Sequence, residues 1–230
     1  MAFSKKTRQE AITKVQNEEM DLLIIGGGIT GAGLTLQAAA TGMKVAVLEM
    51  QDFSEGTSSR STKLVHGGIR YLKNFDVEVV SDTVSERSVV QSIAPHIPKP
   101  DPMLLPIYND EGKTTFDMFS VKIAMDLYDR LAGIDEGSPY ANYTISPEEV
   151  LRREPLIKKK GLQGAGVYLD YRNNDSRLVI DNIKKAVEDG AKAISKMKVI
   201  DFIYTDGQIS GVRARDLLTC LLYTSDAADE

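Results

Sequence analysis

Gly26, Gly28 and Gly31 follow a Gly-Xaa-Gly-Xaa-Xaa-Gly spacing, and Glu49 comes 18 residues after the last of them. A glycine triplet alone is a weak signal. Here an apolar run at 21–25 precedes it, an Ala- and Leu-rich stretch at 31–41 follows, and Glu49 closes a second apolar run at 45–48. Strand, turn, helix and strand within about thirty residues is a βαβ unit, the context that gives the spacing meaning. The chemistry would be capture of a dinucleotide. Gly26 permits the tight turn, Gly28 lets backbone N–H groups approach a pyrophosphate, and Gly31 brings the helix close to the sheet. The positive helix N-terminus would face the phosphates, and Glu49 would accept hydrogen bonds from the adenosine ribose hydroxyls. The plainer alternative is a glycine loop and a surface acid. Met50, Gln51 and Asp52 offer no cation for a ribose phosphate, which disfavours NADP. The fingerprint does not separate FAD from NAD.

The stretch that separates them is Gly56-Thr57-Ser58-Ser59-Arg60-Ser61-Thr62-Lys63-Leu64-Val65-His66-Gly67-Gly68-Ile69-Arg70-Tyr71-Leu72. Its hydroxyls and paired glycines suit a loop that lies flat against a large, permanently held ligand. A flavin needs such a loop directly after the second strand, and a nicotinamide nucleotide does not. This segment resembles that of the FAD-dependent glycerol-3-phosphate dehydrogenase and oxidase family, which carries a Ser-Ser-Xaa-Ser-Xaa-Lys-Leu-Xaa-His-Gly-Gly-Xaa-Arg-Tyr-Leu pattern after its Rossmann unit. The similarity continues through 79–87, Ala94-Pro95-His96, Tyr168-Leu169-Asp170 and Asn174-Asp175-Ser176-Arg177-Leu178-Val179. Asp52-Phe53-Ser54-Glu55-Gly56-Thr57 and Pro98-Lys99-Pro100-Asp101-Pro102-Met103 resemble the oxidase branch, the alpha-glycerophosphate oxidases of lactic-acid-type bacteria. The resemblance spans about residues 3 to 219; members of the family are much longer.

The resemblance implies hydride transfer from C2 of sn-glycerol 3-phosphate to flavin N5, with a base taking the C2 hydroxyl proton to give dihydroxyacetone phosphate. His66 is the candidate base, because an imidazole titrates near neutral pH. Arg70 would pair with the substrate phosphate through its planar fork, or with a neighbouring acid. Ser58, Ser59, Ser61 and Lys63 would bond flavin or pyrophosphate oxygens, with loop-internal bonding the alternative for each, and Gly67 and Gly68 would let the backbone approach the cofactor. Tyr71 reads as packing and His96 as structural. Arg177 reads as one half of a buried ion pair.

The elements that must position these groups follow from periodicity. A short helix with Ala11, Ile12 and Val15 on one side occupies 1–20 and reads as solvated. A helix is expected at 76–94, with Val77, Val80 and Val84 at helical steps. Pro95, Pro98, Pro100, Pro102 and Pro106 then forbid helix and mark a crossing segment, with a strand at 103–108 and a turn at 109–112. A helix at 116–131 carries a stripe of Phe116, Phe119, Ile123, Leu127 and Leu131. Ser146-Pro147-Glu148-Glu149 starts another helix. Strands are expected at 167–171, 193–204 and 209–213, the last two around an Asp206-Gly207 turn, and a helix at 176–188 capped by Asp175 and ended by Gly190. The basic run Arg152, Arg153, Lys158, Lys159, Lys160 reads as a solvated loop. From Cys220 onward the periodicity dissolves, and the tail reads as unrelated residues.

The 230 residues are enough for a real core, and 42% hydrophobic with 27% charged content is ordinary for a globular chain. A net charge of −5 gives no electrostatic case for nucleic acid. One cysteine excludes an internal disulfide framework and suits a reducing cytoplasm. No apolar run is long enough to cross a bilayer, no signal-peptide core is visible, and peripheral membrane contact stays open. No residues have metal-ligand spacing, and no nucleophile triad is visible.

The expected fold is α/β: a Rossmann-type, glutathione-reductase-like FAD-binding domain with part of an α+β substrate domain, truncated. The FAD domain would be discontinuous, at 21–97 and 160–219, with a substrate-domain segment at 98–159 and the tail at 220–230. Three functions compete: an FAD-dependent glycerol 3-phosphate oxidase passing electrons to oxygen, a quinone-linked dehydrogenase of the same family at the membrane surface, and a non-catalytic FAD-binding fragment. The oligomeric state is not legible.

Overall fold

The computed structural model describes residues 4–74, 76–109 and 117–226. Its contacts divide the chain into two units: residues 1–63 with 174–230, and residues 64–173. Each is described by itself.

The first unit begins with α1 (Lys5–Asn17), β1 (Leu22–Ile25), α2 (Ile29–Ala40) and β2 (Val45–Leu48). The chain then passes through the second unit: β3 (Leu64–Val65), α3 (Val77–Ile93), β4 (Lys99–Tyr108), α4 (Met118–Leu131), β5 (Tyr143–Ile145), α5 (Pro147–Arg153) and β6 (Leu162–Arg172). It returns to the first unit with α6 (Asp175–Glu188), β7 (Lys192–Ile194), β8 (Met197–Thr205), β9 (Gln208–Asp216) and β10 (Leu222–Asp226).

In the first unit, β1, β2 and β7 form a parallel sheet in that order. All four residues of β2 are buried, and strand alternation sends them to opposite faces. Val45 and Val47 join Ile24, Ala32, Ala39, Val179 and Ile183 beneath α2 and α6. Ala46 and Leu48 join Ile12, Val15, Ile194, Met197 and Val212 on the other side. A short sheet covered on both faces explains why its strands are continuous apolar runs rather than alternating ones.

The leading helix is therefore docked, not solvated: Ile12 and Val15 are 2% and 4% exposed. Arg8 anchors it. Its guanidinium meets both carboxylate oxygens of buried Asp216, at 3.0 and 2.8 Å, and also donates to Ser195 O. Burial alone would raise the Asp216 carboxyl, but hydrogen bonds from Arg8, Leu218 N–H and Thr219, with the Arg8 charge, hold it below the usual carboxylate value. A carboxyl lowered in the folded state contributes stability above its unfolded pKa, and that contribution fades as pH falls toward the folded value. Acidification below about pH 4 is thus expected to speed amide exchange in residues 5–17. Asp216→Asn should show the fast exchange already at neutral pH. Unchanged protection of α1 from pH 6 to 3 would refute this anchoring.

The strand expected at 193–204 is two strands. Lys196, at φ +58°, turns the chain out of the parallel sheet and into an antiparallel one of β8, β9 and β10. The β8–β9 hairpin closes through Asp206 and Gly207, both at positive φ as a primed turn requires. Leu222–Asp226 pairs antiparallel with β9, Leu222 opposite Arg215.

In the second unit, β6 is the central strand, with β4 on one side and β3 and β5 on the other. The prolines expected to form a crossing segment instead lie in β4. Pro100, Pro102 and Pro106 are spaced by even numbers, so their missing N–H groups fall on one side, and β4 is an edge strand. The helix α4 begins at Asp117, whose carboxylate accepts from Ser120 N–H at 2.7 Å. The stripe expected on α4 holds only at its C-terminal end, where Leu127 and Leu131 pack against the core. Phe119 and Ile123 are 73% and 53% exposed, whereas Val121, Met125 and Tyr128 are buried, rotated around the helix toward β6. Phe116 and residues 110–112 of the expected turn lie outside the described residues. Arg152 and Arg153 are not in a loop but end α5, where both pair with Glu149 and lower its carboxyl to about 2. Ser146 caps α5 as its sequence implies. The cap of α6 is Asn174, accepting from Arg177 N–H, with Asp175 as the first helical residue. Arg177 itself pairs with Asp181 at a solvent-exposed position.

Candidate functional site

Among the expected site residues, those up to Lys63 lie in the first unit and those from His66 onward in the second. In the first, the chain leaves β1 through Gly26 at φ +107°, a left-handed conformation that glycine alone adopts without strain. Gly31 sits in the first turn of α2 with its α-carbon against this turn. A Cβ there would overlap the Gly26 carbonyl oxygen, so only glycine lets the helix approach the strand. Gly27 is covered by Phe53, and Gly28 is the N-cap of α2 but has no side chain to cap it.

Ser58 supplies the missing cap. The 3₁₀ turn Thr57–Ser59 carries its Oγ to within 2.8 Å of Ile29 N, which donates to it. The first turn of α2 holds no acid, so its positive end is left for an external anion. Ser58→Ala is expected to destabilise the first unit by about 1 kcal/mol, the usual cost of a lost N-cap. Urea unfolding of the two chains checks this, and a change below a few tenths would mean that water replaces the hydroxyl.

Glu49 does not stand free. Its two oxygens accept from Gly27 N–H at 2.7 Å and Gln51 N–H at 2.6 Å, which fixes the carboxylate beside the glycine turn. Each oxygen retains a lone pair, so the carboxylate can still accept further hydrogen bonds. Ser61 and Lys63 both reach Asp175 at the start of α6; the ammonium lies 3.4 Å from the carboxylate and also donates to Ser59 O. Ser59 Oγ faces Gly56 O at 3.4 Å. For Ser59, Ser61 and Lys63 the observed bonds are thus internal to the loop and α6.

In the second unit, Gly67 and Gly68 are buried while His66 and Arg70 on either side are exposed. Gly68 turns at φ +69°, and Arg70 lies over the Tyr71 ring, 6.0 Å from its centroid. Beneath Gly67 is a polar cluster that periodicity does not reveal. Arg87, only 2% exposed in the middle of α3, donates from Nη1 to Asp170 Oδ1 at 2.8 Å, and to Tyr128 Oη and Leu169 O at 3.0 Å. Tyr128 donates to the same Asp170 oxygen at 2.8 Å. The guanidinium also sits 4.7 Å from the Tyr171 ring centroid. Burial and the neighbouring carboxylate push the Tyr128 hydroxyl upward, and they push Tyr168 up to about 12. Both phenols therefore stay protonated. The usable signal was a charged residue three positions beyond Val84 on an apolar helix face, since such a residue must find a buried partner.

Among the described residues no cluster of His, Cys, Asp or Glu can hold a metal, and no helix is long and apolar enough to cross a membrane.

Residues 21–224 match the family described as FAD dependent oxidoreductase. The chain is 95% identical over 219 residues to the alpha-glycerophosphate oxidase of Lactococcus lactis, covering 95% of this chain and 36% of that protein. Against the alpha-glycerophosphate oxidase of Enterococcus casseliflavus it is 64% identical over 220 residues, with the same shares covered. Among solved structures, the glycerol-3-phosphate dehydrogenase of Bacillus halodurans complexed with FAD superposes with a TM-score of 0.73 at 38% identity, over 98% of this chain and 36% of that one. The chain thus spans about 36% of the length of the curated relatives it matches. A parallel sheet entered through a glycine turn, with a match running from β1 to β10, leads to one conclusion: this chain belongs to the FAD dependent oxidoreductase family.

Proposed function

We propose that this chain is the FAD-holding portion of an enzyme that oxidises sn-glycerol 3-phosphate to dihydroxyacetone phosphate, with oxygen as acceptor and hydrogen peroxide as product. The observation that carries the reading is 95% identity over 219 residues to a protein named for that activity. A bound flavin would supply the hydride acceptor. The chain's own groups fit it: the acid-free start of α2 behind Gly26 and Gly28, where only Ile29 N–H is taken up by Ser58, suits a pyrophosphate, and the fixed Glu49 carboxylate suits the adenosine ribose. Ser58, Ser59, Ser61 and Lys63 are the proposed oxygen contacts, and Gly67 and Gly68 the points of close backbone approach. His66 is the proposed proton acceptor for the C2 hydroxyl, and Arg70 the proposed partner of the substrate phosphate. A cytoplasmic enzyme, with at most peripheral membrane contact, agrees with this assignment.

The name of the Bacillus halodurans neighbour, a glycerol-3-phosphate dehydrogenase, favours a second reading, a dehydrogenase; the acceptor proposed for it is a quinone. Anaerobic reduction of the full-length enzyme by glycerol 3-phosphate, followed by mixing with oxygen, separates the two. Rapid reoxidation is expected. Slow reoxidation relieved only by a quinone overturns the oxidase, and failure of glycerol 3-phosphate to bleach the flavin overturns both. A third reading concerns the chain as it stands. At 36% of its relatives' length it binds FAD without turnover, and substrate-dependent peroxide from the 230-residue chain would contradict that.

A further inference from the structure

We propose that Arg87, Tyr128 and Asp170 are positioning residues for the peptide that follows His66, so that a buried charge cluster fixes the orientation of that histidine. The inference deepens the functional reading above and rests on it for His66's role. It rests on geometry for the positioning itself.

The Gly67 peptide is gripped on both sides. Its N–H donates to Tyr128 Oη at 3.0 Å and to Asp170 Oδ1 at 3.1 Å, and its carbonyl accepts from Thr83 Oγ1 at 2.8 Å. The backbone approaches closely here, because a Cβ on Gly67 would overlap both Tyr128 Oη and Val84 Cγ1. The two acceptors of the N–H are themselves locked. Tyr128 Oη donates to Asp170, and Arg87 donates to both. Buried side chains of α4 and β6 thus meet on one amide, α3 holds both of them through buried Arg87, and Thr83 of α3 takes the carbonyl.

Such a cluster is costly to build, since two charges and a phenol must be desolvated, and an apolar triplet of similar volume would serve packing as well. What an apolar triplet cannot supply is a directional acceptor for the Gly67 N–H. The imidazole of His66 has no bond of its own to the described residues that would hold it, so its direction is inherited from the backbone on its C-terminal side. A loop residue placed this way acts with the precision of a residue on a strand.

The test uses the full-length, flavin-loaded enzyme. Tyr128→Phe keeps the ring and leaves the Arg87–Asp170 pair intact, and Asp170→Asn removes the charge. Val150→Ala, a fully buried site in a separate cluster around Leu162 and Ala165, is the control for general destabilisation. Amide exchange in the peptide 64–72, read without substrate, is expected to rise at least tenfold in Tyr128→Phe and to stay at the parent rate in Val150→Ala. The rate of flavin reduction should fall in Tyr128→Phe with KM little changed, and its apparent pKa should move, while Val150→Ala moves neither. If Tyr128→Phe lowers the unfolding midpoint but leaves both the exchange of 64–72 and the pH profile at the parent values, the cluster is merely structural and the proposal is overturned. Should Asp170→Asn fail to fold, Tyr128→Phe alone decides. Because exchange is read without glycerol 3-phosphate, failure of the functional reading leaves this result standing.

Discussion

Arg87→Ala is expected to destabilise the second unit by about 3–5 kcal/mol, the range for removing one partner of a buried ion pair. The loss does not measure what the pair contributes. Asp170 is 2% exposed, and without Arg87 its carboxylate keeps, among the described residues, the Tyr128 hydroxyl and the Gly67 N–H as donors. The penalty is that of a stranded buried charge, plus the cavity left under the Tyr128 and Tyr171 rings. Arg87→Lys should recover only part of it, because a compact ammonium keeps the charge but not the flat guanidinium that lies over the Tyr171 ring. Urea unfolding monitored by tyrosine fluorescence measures both. A loss under about 1 kcal/mol for Arg87→Ala would mean that water reaches Asp170 and that the cluster is not dry.

Gly31→Ala is expected to destabilise the first unit by about 2–3 kcal/mol and to abolish flavin retention, through overpacking rather than conformational strain. The added methyl would overlap the Gly26 carbonyl, which is backbone and cannot rotate away, so α2 must retreat from β1. Retreat would pull the helix start away from the Gly26–Gly28 turn. Gly33→Ala is the paired control: two residues along the same helix a Cβ meets nothing within 4 Å. That change should stabilise by roughly 0.5–1 kcal/mol by restricting the unfolded chain and improving helix propensity. Thermal melts and the flavin content of the purified variants test both. Equal behaviour of the two variants would refute the assignment of Gly31 as the point of helix–strand approach.

The contrast between these sites explains what was legible in the sequence. The turn from Gly26 to Gly31 and its acid at 49 are bound by local spacing, because a βαβ unit places its parts within one short stretch. Arg87, Tyr128 and Asp170 are separated by 41 and 42 residues, and nothing in their spacing says they meet. The first half of the stripe on α4 failed for a related reason: Phe119 and Ile123 have helical spacing, yet a helix face is chosen by the sheet it packs on, here by the space above Gly166. The leading helix read as solvated because its stripe is narrow. What docks it is Arg8 meeting Asp216, 208 residues later. Ala193 to Tyr204 read as one strand because alternation is blind to a single left-handed residue such as Lys196.

The prolines of β4 bear on how this polypeptide behaves before its partners are in place. An edge strand with free N–H groups is a template for a second chain, and long flat borders of that kind seed aggregates. With Pro100, Pro102 and Pro106 removing donors along one side, the second unit has a border that a stray strand cannot extend in register. β1 of the first unit, apolar and without proline, has no such safeguard. Intermolecular association of newly made chains should therefore begin at edge strands without proline, such as residues 22–25, rather than at β4, and a charge introduced on such an edge would keep the protein in solution more effectively than any change to β4.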